Sequence, residues 1–141
     1  MVERETSNWT VLIVEDEPDN LSVAEKVLTF YGAEVLTARD GMEGLEILKK
    51  VKPTFILMDL SMPKMDGWEM LKAVRANPKT AHLPVIALTA HAMAGDEKRV
   101  MEAGFDGYIT KPFRLASFMD KIKACLHSWA EKTLREEWRE L

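Results

Sequence analysis

One cysteine, Cys125, stands in the 141 residues. No internal disulfide can form, and no CxxC or Cys/His cluster exists that could hold zinc. A reducing compartment suits such a chain. Long apolar runs are also missing: none approaches the ~20 residues of a bilayer-spanning helix. The stretch from Met1 to Asn8 carries acids and lacks the apolar centre of a secretory signal. A cytoplasmic location is the expectation. Basic runs are scarce as well. The 19 Lys and Arg against 23 Asp and Glu give a formal net charge of -4, which argues against direct nucleic-acid binding. The few prolines and glycines are dispersed, with no repeat, low-complexity stretch or linker to divide the chain. With 47% hydrophobic and 30% charged residues, the composition excludes disorder and predicts one compact domain.

What the chain does have is alternation. Short apolar runs at Thr10 to Val14, Val35 to Ala38, Phe55 to Met58, Val85 to Leu88 and Tyr108 to Ile109 are separated by longer amphipathic ones. That pattern marks βαβ units building a parallel sheet. Most of the runs are continuously apolar, as strands buried on both faces are. Pro18 suits a first helical turn, Gly32 and Gly104 suit left-handed caps, and Asn77-Pro78 stops a helix. Leu21, Ala24, Val27, Leu28 and Tyr31 recur at helical spacing, as do Leu45, Ile47, Leu48 and Val51, so both stripes are expected to face the sheet.

Glu15 and Asp16 directly follow the first apolar run, and Asp59 follows the third. In a doubly wound α/β fold with flavodoxin-like strand order 2-1-3-4-5, these positions meet beyond the carboxyl ends of strands one and three, where ligands bind. Like charges so close would raise a carboxyl pKa unless a cation neutralises them. A hard divalent ion is the simplest remedy, and Mg²⁺ is content with one or two carboxylates, a carbonyl, water and phosphate oxygens. Thr89 and Lys111, a hydroxyl and a cation, close the fourth and fifth runs on the same edge. Phosphate oxygens would satisfy both.

The runs Val14-Glu15-Asp16-Glu17-Pro18, Met58-Asp59-Leu60-Ser61-Met62-Pro63-Lys64-Met65-Asp66-Gly67, Leu88-Thr89-Ala90-His91 and Ile109-Thr110-Lys111-Pro112-Phe113 together resemble the receiver domains of response regulators, over roughly residues 9 to 127. The resemblance implies that Asp59 accepts a phosphoryl group from a sensor histidine kinase or a histidine phosphotransfer protein. It implies Mg²⁺ held by Asp16, Asp59 and the Ser61 carbonyl, with Glu15 acting through metal-bound water. It further implies that Lys111 and Thr89 meet phosphoryl oxygens, that Tyr108 moves as part of the switch, that Lys111-Pro112 is cis, and that Ser61 and His91 tune dephosphorylation. Glu15 stands where the family more often has Asp, which lengthens the reach to metal water.

Each acid taken alone is better explained as a turn or cap residue, and Thr89 and Lys111 singly as surface groups. Tyr108 alone could be edge packing. Their joint order on successive strand ends favours the site. An aspartyl-nucleophile phosphatase would need a general acid two residues after Asp59, where Ser61 stands, a poor proton donor. A flavin-binding module would need a Gly/Ser/Thr-rich phosphate loop where Glu15 to Pro18 stand. A receiver-like module that had lost phosphorylation would not need the full set.

Leu115, Phe118, Met119, Ile122, Leu126, Trp129, Leu134, Trp138 and Leu141 keep an approximately helical rhythm past the expected end of the domain. Opposite charges at Glu131 and Arg135, and at Lys132 and Glu136, support it at i,i+4. An unbroken helix would be about 40 Å long and would overhang the domain. Residues 1–8 then read as a tail, 9–127 as the receiver domain and 128–141 as a helical extension. Output is expected through a downstream protein target; the extension is expected to pack against a second copy, as a homodimer, or against a partner helix, with fraying of its tip as the alternative.

Overall fold

The computed structural model describes residues 8–90 and 94–140. His91 and Leu141 lie outside the described residues, as does the side chain of Trp138. Five strands form one parallel sheet: β1 (Thr10–Val14), β2 (Glu34–Ala38), β3 (Phe55–Asp59), β4 (Val85–Thr89) and β5 (Gly107–Thr110), in the order β2-β1-β3-β4-β5. Between and after them run α1 (Pro18–Phe30), α2 (Gly41–Leu48), α3 (Gly67–Ala76), α4 (Ala94–Ala103) and α5 (Leu115–Glu140). This is the doubly wound order expected from the sequence. The strands start or end one residue beyond the apolar runs at Glu34, Asp59, Thr89, Gly107 and Thr110, because backbone pairing continues where hydrophobicity stops.

Alternation along the central strands divides the core. Val11, Ile13, Phe55, Leu57, Ile86, Leu88 and Ile109 pack with α1 and α5 on one face. Leu12, Val14, Ile56, Met58, Val85 and Ala87 face the other side, against α3 and α4. β1, β3 and β4 are therefore buried on both faces, whereas the edge strands β2 and β5 keep partly exposed positions.

Pro18 opens α1, and Asn77, held extended before Pro78, ends α3. Gly32 and Gly104 carry φ of 96° and 109°, the left-handed conformation expected of them. The α1 stripe buries Ala24, Val27 and Leu28. The α2 stripe is only half-buried, and its closest approach is through Gly44, where a Cβ would press on Met70 of α3.

In α5, Phe118, Met119 and Ile122 are buried and Leu126 packs partly against them. Burial of each such side chain contributes about 1.5–3 kcal/mol. Leu115, read above as part of this stripe, is 67% exposed and faces away. The helix continues through Ser128 without a break for 26 residues, ~39 Å at 1.5 Å per residue. Glu131 meets His127 one turn back, at 3.1 Å.

Candidate functional site

Register brings the acids together. Val14 pairs with Met58, so the next residues, Glu15 and Asp59, emerge side by side. The Glu15 N–H donates to the Ala38 carbonyl at 2.9 Å, which fixes Glu15 against β2. The Lys111 N–H donates to the Thr89 carbonyl at 2.8 Å, carrying β5 to the same edge. One carboxylate oxygen from each of Glu15, Asp16 and Asp59 lies within 4.8 Å of the others.

The start of α3 seals this corner from behind. Asp66 and Glu69 form a reciprocal capping box. Gly67 donates its N–H to the Leu60 carbonyl at 3.1 Å, and a Cβ there would collide with the Asp59 carbonyl oxygen. The close approach requires glycine.

Lys111 Nζ sits 2.6 Å from Glu15 Oε1 and 3.1 Å from Asp59 Oδ1. The Ser61 N–H donates to Asp59 Oδ1 at 3.1 Å, and the Glu17 N–H to Glu15 Oε2 at 3.2 Å. Glu15 is fully buried. Its Oε1 has the lysine charge beside it but no directed hydrogen bond. Burial first, and Asp59 second, push the Glu15 carboxyl up to about 7. Asp16, exposed at the rim, is raised by the same two causes. Burial opposes charge on Lys111, but Glu15 and Asp59 outweigh it and hold the ammonium pKa above its ordinary value.

Three carboxylates against one ammonium leave an excess of negative charge. A buried carboxylate oxygen lacking a directed partner is a further sign of it. The donor set is all oxygen, which fits a hard divalent cation. Glu15, Asp16 and Asp59 offer the carboxylate oxygens that could hold such an ion.

These groups open onto a cavity of about 470 Å³ lined also by Asn20, Thr89, Trp68, Asp96 and Arg99. Thr89 is buried at the end of β4. Trp68 and Arg99 were not singled out in the sequence, since nothing local marks a residue of α3 or α4 as facing the end of β3. Arg99 lies over the Trp68 ring at 4.7 Å from its centroid, and Trp68 meets Phe105 edge-on at 5.6 Å.

Tyr108 points elsewhere. It lines a groove of about 620 Å³ between α4, β5 and α5 with Glu97, Lys121 and Cys125. A hydrogen bond to the Glu97 carboxylate raises its phenol pKa, with burial adding to the shift. Lys111-Pro112 is cis. No helix among the described residues is long and apolar enough to cross a membrane.

The family model of the response regulator receiver domain matches residues 11–123. Among curated proteins, the polar-differentiation response regulator DivK of Brucella anthropi is 37% identical over 117 residues, covering 83% of this chain and 95% of that protein. Among solved structures, the chemotaxis response regulator CheY4 of Vibrio cholerae superposes with a TM-score of 0.78 at 29% identity, covering 83% of this chain and 98% of that one. The receiver domain of a sensor histidine kinase from Pseudomonas aeruginosa PAO1 superposes with a TM-score of 0.75 at 31% identity, covering 86% and 98%. That structure carries a magnesium ion coordinated in its active site cleft.

Proposed function

Because this chain belongs to the response regulator receiver domain family, whose members are phosphoacceptors of two-component signalling, we propose that Asp59 takes its phosphoryl group from a phosphohistidine. The donor is a sensor histidine kinase or a histidine phosphotransfer protein. The observation that carries this reading is the single ammonium of Lys111 held between Glu15 and Asp59 at the carboxyl end of the sheet.

In that arrangement the Asp59 carboxylate attacks phosphorus and the histidine nitrogen leaves. Lys111, already beside Asp59 Oδ1, is placed to meet one phosphoryl oxygen. Thr89, at the neighbouring strand end, is placed to donate its hydroxyl to another. Asp16, Asp59 and the Ser61 carbonyl would hold Mg²⁺, and Glu15 would reach it through water. When bound, the ion neutralises charge that develops on the transferred oxygens. The Ser61 N–H on Asp59 Oδ1 orients the nucleophile. Catalysis is confined to the domain's own phosphorylation and dephosphorylation, since Ser61 stands where a phosphatase of this type would carry its general acid. Ser61 and His91 would set the phosphate lifetime.

Signal then passes to a downstream protein target through Tyr108 and the α4–β5–α5 groove. The receiver domain is placed at 9–127, with 1–8 as a tail and 128–141 as the extension. Self-association through that extension is supported by Leu134, which is 55% exposed on the outer part of α5. A cytoplasmic site of action accords with the family's signalling role.

Incubation with phosphoramidate and Mg²⁺, followed by intact mass, tests the acceptor. The wild type should gain one labile phosphoryl group and Asp59→Asn none, with the same circular dichroism. Equal labelling of both proteins would overturn the assignment.

A further inference from the structure

Lys111 cannot alone receive an incoming phosphate. Its ammonium is mostly buried and already shared between Glu15 and Asp59, so an incoming phosphoryl group reaches it only at the end of its approach. The cavity has a second cation on its outer wall. Arg99, on α4, lines the same 470 Å³ space and is spread over the Trp68 indole of α3. Among the described residues no carboxylate lies within ion-pair distance of its guanidinium, although Asp96 also lines the cavity.

A cation–π contact uses none of the guanidinium's N–H donors, so its fork stays available to match two phosphate oxygens at once. Phe105, itself buried, meets Trp68 edge-on at 5.6 Å, so the platform beneath Arg99 is fixed by the core.

We propose that Arg99, stacked on Trp68, is a positioning residue that captures the phosphoryl group of the incoming donor at the mouth of the cavity and hands it to Asp59. This rests on Asp59 being the acceptor. Arg99 acts on the donor before transfer, and Lys111 and Thr89 act on the group being transferred. No bond is made or broken at Arg99. It aligns phosphorus for attack.

The test is the rate of Asp59 labelling by phosphoramidate with Mg²⁺, followed by intact mass in wild type, Arg99→Ala and Arg99→Lys. The slope of rate against donor concentration should fall about tenfold in Arg99→Ala, the size of one charge-assisted contact in partly wet surroundings, and less in Arg99→Lys, which keeps charge but loses the planar fork. Hydrolysis of the preformed phosphoprotein should change less than about twofold in both, since Arg99 touches the donor and not the aspartyl phosphate. Trp68 emission, assigned by its loss in Trp68→Phe, should shift on donor addition in the wild type and stay still in Arg99→Ala. An unchanged slope in Arg99→Ala overturns the proposal, and so does a slope and a hydrolysis rate that fall together. Absence of labelling in the wild type would instead bring down the acceptor assignment, and this proposal with it.

Discussion

Lys111 Nζ lies closer to Oε1 of Glu15, at 2.6 Å, than to the Asp59 oxygen it is expected to serve, at 3.1 Å. Glu15 thus holds the lysine in place. It also carries the largest cost in the site, a buried carboxylate whose pKa stands near 7.

That shift has a sign. The folded pKa lies above the unfolded value of 4.5, so the folded state binds the proton more tightly. The stability this supplies is complete below pH 4.5 and is lost as pH rises to about 7. Urea unfolding without metal should therefore show the wild type losing stability between pH 5 and 7.5 relative to Glu15→Gln. Parallel pH profiles for the two proteins would contradict this.

Asp16→Ala should weaken Mg²⁺ binding by at least about tenfold, the lower bound typical even for groups that only orient a metal ligand. Labelling of Asp59 should weaken with it. Calorimetric titration with Mg²⁺ checks the first, and an unchanged affinity would exclude Asp16 as a ligand.

Tyr108 is bonded to Glu97 across the α4–β5 junction, and Thr89 and Tyr108 lie on adjacent strands. Drawing Thr89 toward a phosphoryl group should repack this junction. Amide shifts on adding beryllofluoride should extend to α4, β5 and α5, reaching Tyr108 and Phe113. Shifts confined to the surroundings of Asp59 would refute a switch.

Arg75 ties together segments far from the acids. Its guanidinium donates to the carbonyls of Ala81, Leu83 and Gly104 and to Asp106 Oδ2. Asp106 in turn accepts from the Val85 N–H at 2.8 Å. Arg75→Ala leaves three carbonyls and a nearly buried carboxylate without this donor, and should cost about 3 kcal/mol. Chemical denaturation measures it; a loss under about 1 kcal/mol would show that water replaces the guanidinium.

Truncation after Ser128 removes the outer turns of α5, including Trp129 and Leu134. In sedimentation at high concentration the full chain should associate and the truncated one should be monomeric. Two monomers would leave the extension without a self-association role.

The amino-acid sequence by itself determined the elements and their order. Continuously apolar runs and period-3.6 stripes are local, so they place Asp59 and Thr89 at strand ends and Lys111 just past one without any knowledge of contacts. Gly32, Gly104 and Pro18 were legible for the same reason: each answers a backbone requirement at its own position. Leu115 was misplaced because a periodic stripe does not reveal where a helix first meets the core. What only the tertiary structure decided is convergence. The pairing of Lys111 with Glu15, the stacking of Arg99 on Trp68 and the reach of Arg75 to Asp106 join residues 31 or more positions apart, and no local pattern encodes them. Burial of Glu15 is of the same kind: a charged side chain is kept from water by strands and helices drawn from the whole chain, and its raised pKa follows from that enclosure.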